Sequence, residues 1–347
     1  MTRNTLAAAI MHAWMRRGPL ACALWPVSVL FGWLIRLRNF FYRHGWLAQQ
    51  RLPVPVIVVG NIFIGGTGKT PLTIWLLAQL KQAGLTPGVI SRGYGGRQHQ
   101  VQMVLKDAHS ADVGDEPVLI ARQSGCPVVV GRDRVSAGRY LLAAFPGVDV
   151  IVSDDGLQHL ALYRDVEIML FDARGAGNGW LLPAGPLREP LSRRRDFTVV
   201  NLNPDETVSP DLPLNAARMQ LNGSRATQLM HPEQSKLLNQ IDPGLSITAA
   251  AGIGNPERFF AMLRHHGLHC SPMPLPDHFD FLENPFKNLS AEMILITEKD
   301  AVKCRLLKEI ADDPRIWVVG VEADLEPGLI DDLLKRLHQR IDMRNRV

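Results

Sequence analysis

The chain has 347 residues, of which 46% are hydrophobic and 21% charged, with a formal net charge of +4. That composition belongs to a folded protein of one large or two modest domains and excludes a disordered or low-complexity chain. The four cysteines, Cys22, Cys126, Cys270 and Cys304, form no C-x-x-C pair, so neither a metal knuckle nor a disulfide framework is indicated and a reducing compartment fits. The basic residues cluster at 16–17, 36–43 and 188–195, which points to anionic partners at particular places. No helix-turn-helix or zinc spacing accompanies them, and nucleic acid is not expected as a partner.

Residues 18–35 are eighteen uncharged positions between Arg16-Arg17 and Arg36, a borderline length for crossing a bilayer. The chain continues directly into Arg36-Leu37-Arg38 without a small-residue cleavage site, so a removable leader is not expected. Pro26 should kink or break a straight helix, while Trp14, Trp25, Trp33 and Trp46 suit the headgroup region. Residues 1–50 are therefore read as a helical, membrane-associating segment lying on or shallowly in the surface. A full span and a helix packed on the protein's own core stay open as alternatives.

From residue 51 onward short apolar runs alternate with helix-like stretches. Strands are expected at 54–59, 87–91, 127–130, 148–153, 166–171 and 197–201, and helices at 69–83, 116–123 and 134–144. This is the pattern of parallel strands joined by crossover helices. The fold class is thus α/β, with a P-loop NTPase-like, mostly parallel sheet flanked by helices over 51–215. Pro204, Pro210 and Pro213 mark a linker-like stretch, and expected strands at 246–251, 293–297 and 316–321 place a smaller α/β lobe in 216–347.

The loop after the first expected strand reads Gly60-Asn61-Ile62-Phe63-Ile64-Gly65-Gly66-Thr67-Gly68-Lys69-Thr70. Strand, glycine-rich loop and helix start make a phosphate cradle: Gly65, Gly66, Thr67 and Gly68 let backbone N–H groups turn toward one anion, Lys69 reaches the β and γ phosphates, and Thr70 offers a hydroxyl to Mg²⁺. Phe63 stands where the general pattern has glycine, and Ile64 where a related variant has an extra lysine. Asp154-Asp155 close the expected strand 148–153 at the carboxyl edge of the sheet, and two adjacent carboxylates gain most from a shared cation. Asp115 stands before a helix, where capping alone would explain it, and His278 is by spacing a lone histidine. Arg188-Glu189 and Arg193-Arg194-Arg195 form a proline-bordered basic loop, suited to phosphate or headgroup recognition or equally to plain solvation.

Taken in order, these pieces resemble the tetraacyldisaccharide 4'-kinases, which phosphorylate the lipid A precursor at the inner membrane of Gram-negative bacteria. The resemblance runs through the variant loop, Ser91-Arg92-Gly93-Tyr94-Gly95-Gly96, Gly114-Asp115-Glu116-Pro117 and Asp154-Asp155-Gly156-Leu157-Gln158-His159. It continues through the stretch 182–190, Pro276-Asp277-His278-Phe279 and Thr297-Glu298-Lys299-Asp300. It implies Lys69 and Thr70 on ATP and Mg²⁺, Asp154 and Asp155 on the metal, and Asp115 with His278 as the base pair acting on a sugar hydroxyl. It also implies Arg92, Arg188 and Glu189 near the acylated, phosphorylated disaccharide. The implied location is the cytoplasmic face of the inner membrane, with the bilayer surface as a partner and no obligate protein partner. The competing class is a switch or metallochaperone nucleotidase acting on a protein. It is disfavoured by the displaced lysine of Thr297-Glu298-Lys299-Asp300, which does not match the guanine-reading [NT]-K-x-D, and by the want of a Cys/His cluster. A third class is a membrane-anchored protein that only holds nucleotide.

Overall fold

The computed structural model describes residues 10–96, 100–105, 108–213 and 215–345; positions 1–9 of the expected amino-terminal segment lie outside them. The first sheet starts with β1 (Val56–Gly60), β2 (Pro87–Ser91), β3 (Gln102–Met103), β4 (Val128–Val130), β5 (Val150–Asp154), β6 (Val166–Asp172), β7 (Phe197–Asn201) and β8 (Ala217–Asn222). The second sheet takes β9 (Arg225–Gln228), β10 (Ser235–Leu237), β11 (Ile247–Ala251), β12 (Cys270–Pro274), β13 (Met293–Thr297) and β14 (Ile316–Val319). The chain then returns to the first sheet through β15 (Glu322–Leu325).

The orders are β15-β8-β7-β6-β1-β5-β2-β4-β3 and β10-β9-β14-β13-β11-β12. Only the outer strands β15 and β3 pair antiparallel in the first sheet, and β9 and β10 in the second. All five residues of β1 are buried, because helices cover both faces of a parallel sheet and every side chain meets a core. Ile57 and Val59 pack with Leu72, Leu76 and Val118, whereas Val56 and Val58 pack with Leu141, Phe171 and Leu187 on the opposite face, the two-residue period of a strand. Leu333 and Leu337 of the last helix, Leu329–Asn345, join the first of these cores. Lobe membership therefore does not follow chain order.

The amino-terminal helix runs over Pro19–Arg43 with Pro26 inside it, so of the expected kink or break the break does not occur. Proline removes one i→i−4 bond, but the next turn is pinned to the body, where Ser28 Oγ donates to Leu181 O at 2.9 Å and accepts from Ala184 N at 2.8 Å. Only Ala21, Ser28 and Gly32 of this helix are buried, one stripe at helical spacing. Leu20, Trp25, Val27, Leu30, Trp33 and Leu34 remain exposed. The helix is long and apolar enough to cross a membrane by length and composition.

Candidate active site

The loop that follows β1 is shaped by Asn61, which is fully buried. Its Nδ2 donates to Phe63 O at 2.7 Å and Thr67 Oγ1 at 3.1 Å, while Oδ1 lies 3.4 Å from Lys69 Nζ. Phe63 is accommodated because its ring turns into the core, beneath the Arg174 guanidinium at 4.4 Å. Glycine is required at 68: φ is +99°, and a Cβ would sit 2.5 Å from Asn201 Nδ2. The helix Lys69–Gln82 then starts with its N–H groups facing the loop. Arg174, locked to Asp172, donates to Gly66 O at 3.1 Å.

The register of β1 and β5 pairs Val59 with Asp154, so the carboxylate ends level with the start of the loop. Asp154 is 1% exposed. Burial, with the neighbouring Glu116 and Asp155 charges, pushes its carboxyl up to about 7. Burial acts the same way on Asp155, but there Lys69, Arg188 and Arg134 outweigh it and hold the carboxyl below its ordinary value. Lys69 Nζ is 3.8 Å from Asp155 Oδ1 and Arg188 Nη1 is 3.6 Å from Oδ2, yet Oδ1 accepts no hydrogen bond. An unsatisfied carboxylate oxygen beside a carboxyl that resists ionisation fits a divalent cation, with the buried Thr70 as a further oxygen donor. Among the described residues no group of three His, Cys, Asp or Glu side chains converges as a metal cage.

Across the cleft, His278 of the second lobe meets Asp115 of the first: Nδ1 and Oδ2 are 3.0 Å apart although 163 positions separate them. Asp115 is the first residue of its helix, with Gly114 at the cap position; its Oδ1 accepts from Glu116 N at 3.1 Å, while Oδ2 faces the cleft. It is 2% exposed, and Lys303 Nζ stands 3.1 Å from the same oxygen. Burial alone would raise its carboxyl; the His278 hydrogen bond and the Lys299 and Lys303 charges outweigh it and hold the group far below the carboxylate range. Lys299 Nζ, 3.1 Å from Glu116 Oε1 and 3.4 Å from His278 Nε2, ties the imidazole to the first lobe a second time.

The remaining expected residues are spread around this centre. Arg92 is exposed after β2 and is close enough to repel the buried Arg134. Glu189 is 5% exposed, accepts from Arg193 Nη1 at 2.6 Å and Gln158 Nε2 at 3.1 Å, and reaches the loop only through Gln158, which donates to Asn61 O at 3.3 Å. Sequence reasoning passed over Arg134, Asn201, Lys303 and Arg258, and it quoted Asn61 in the loop without a role. Lys299 was visible as part of a four-residue motif, without a sign of what it touches.

A cavity of about 180 Å³ opens beside the loop, lined by Gly66–Pro71, Ile74, Asn201, Phe259, Met262 and Val321 among others. A phosphate cradle at the carboxyl edge of a parallel sheet, with an acidic pair on its next strand and an apolar cavity alongside, defines a phosphate-loop nucleotide-binding protein by class. The family model described as Tetraacyldisaccharide-1-P 4'-kinase matches residues 20–338, and the chain belongs to that family. Two relatives named "Tetraacyldisaccharide 4'-kinase", from Herminiimonas arsenicoxydans and Janthinobacterium sp. (strain Marseille), are each 55% identical. The first covers 97% of both chains, the second 98% of this chain and 99% of its own. A crystal structure of "apo" form LpxK from Aquifex aeolicus in complex with ATP superposes with a TM-score of 0.74 at 30% identity, covering 93% of this chain and 99% of that one.

Proposed function

We propose that the protein transfers the γ-phosphoryl group of ATP to the 4'-hydroxyl of a tetraacyldisaccharide 1-phosphate in lipid A biosynthesis. The observation that carries the reading is the Asp115–His278 pair formed between the two lobes, in a chain whose relatives are named as these kinases. A nucleotidase that drives a protein partner has no use for a base contributed by a second lobe. Lys69 takes the β and γ phosphates; Thr70, Asp154 and Asp155 would hold Mg²⁺, which when bound would help neutralise the charge on those phosphates.

In the transfer, the bond from the 4'-oxygen to the γ-phosphorus forms as the bond to the β-bridging oxygen breaks, and ADP leaves. The hydroxyl proton passes to the Asp115–His278 pair. Lys299 and Lys303 keep Asp115 anionic and hold the imidazole against it. Arg92 and Arg188 face the phosphorylated sugar, and Glu189 fixes the basic loop through Arg193. The exposed apolar face of the helix Pro19–Arg43 lies on or shallowly in the cytoplasmic face of the inner membrane, where the acylated substrate resides. The deciding experiment compares ATP consumption with and without the lipid: dependence on lipid is expected, and equal hydrolysis in both would favour the nucleotidase.

A further inference from the structure

Arg258 belongs to the second lobe, near the start of the helix Pro256–His265, yet its guanidinium reaches the phosphate loop of the first. Nη2 donates to Asn201 Oδ1 at 2.6 Å, and Asn201 Nδ2 donates in turn to Thr67 O at 2.9 Å. The same stretch touches the loop through its backbone, since a side chain on Gly254 would collide with Gly66 N. Two cations of the first lobe at this loop already have partners: Lys69 faces Asn61 and Asp155, and Arg174 is bonded to Asp172 and Gly66 O. Arg258 differs from them, because its Nη1 is buried and has no hydrogen-bond partner. Burial draws the guanidinium's pKa down, and the Asp172 and Glu206 charges oppose that pull. A buried cationic N–H left unmade is costly, and one placed beside a phosphate cradle is matched by a phosphate oxygen, which a guanidinium binds well.

We infer that Arg258 is a nucleotide-contacting residue, its Nη1 donating to a phosphate oxygen of the nucleotide in the loop while Nη2 stays on Asn201. The inference rests on the nucleotide reading above. It makes the nucleotide a direct link between the lobes, in addition to the Asp115–His278 contact that spans them. Arg258 thereby reports occupancy of the first lobe to the lobe that carries His278.

The test is equilibrium binding of ATP, ADP and adenosine to the full chain, by competition against a fluorescent ATP analogue, for the native protein, Arg258→Met, Arg258→Lys and Asn201→Ala. Arg258→Met should weaken ATP and ADP about tenfold to a hundredfold and leave adenosine within about twofold, since only the phosphates lose a partner. Arg258→Lys should recover part of the phosphate-dependent loss. A bare structural brace through Asn201 would instead lower all three ligands alike, in Arg258→Met and Asn201→Ala equally, and that result overturns the inference. Unchanged ATP binding in Arg258→Met overturns it as well. If the native chain binds none of the three, the nucleotide reading itself falls, and the inference with it.

Discussion

Asp154 and Asp155 are neighbours that titrate in opposite senses, one pushed up to about 7 and the other held down. The folded pKa of Asp154 lies above the ordinary value of 3.8, so its stabilising contribution is present below about 4 and is lost as pH rises through about 7. Without metal, Asp154→Asn should therefore gain stability over the native chain between pH 4 and 7, on the order of 2 kcal/mol, read as a difference in thermal midpoint. Stabilisation by Mg²⁺ should grow over the same window, because the ion competes with the proton on Asp154. A midpoint difference that is flat with pH would contradict the assignment. Asp115→Asn should lower turnover ~10²- to 10⁴-fold with ATP affinity retained, measured by steady-state kinetics beside nucleotide titration. The resemblance paired Asp115 with His278, whereas spacing alone read the first as a cap and the second as a lone histidine, and the contact with Lys303 was not legible. A carboxylate before a helix reads as a cap, and only the fold shows that Gly114 fills that place while Asp115 faces His278 and Lys303.

The strands of the first sheet were legible as elements because those buried on both faces show as continuous apolar runs: 54–59 was expected and Val56–Gly60 found, 148–153 expected and Val150–Asp154 found. Short or half-exposed strands such as Gln102–Met103, Ser235–Leu237 and Glu322–Leu325 carry no such run and were not anticipated. In the loop, Gly68→Ala would force a Cβ against Asn201 at an unfavourable φ, and nucleotide titration should show binding lost or severely weakened. Two separable properties belong to the amino-terminal helix. Ser28→Ala removes its bonds to Leu181 and Ala184 and should lower stability by about 1–3 kcal/mol, detected by denaturant unfolding. Leu30→Glu with Trp33→Glu, both on the exposed face, should leave stability unchanged and reduce co-sedimentation with anionic vesicles. Undiminished co-sedimentation would argue that this face does not meet the bilayer.

For the molecule as a whole, the centre exists only where the two sheets meet. Lys69, Asp115, Asp154 and Asp155 come from one lobe and His278, Lys299 and Lys303 from the other, joined by ion pairs that span more than 160 positions. No local pattern encodes such a meeting. The sequence resemblance named Asp115 and His278 together, whereas the cations that govern them became visible only with the fold. The return of residues 322–345 to the first sheet is likewise a tertiary fact: Leu333 and Leu337 join its core from the far end of the chain. One reaction should need both lobes, the loop and the lipid at once. Its most direct test is transfer of labelled γ-phosphate from ATP to tetraacyldisaccharide 1-phosphate in mixed micelles, with Lys69→Ala as the control. Labelled lipid with the native chain and none with the variant is the predicted result; ATP hydrolysed at the same rate without lipid, and lipid left unlabelled, would contradict it.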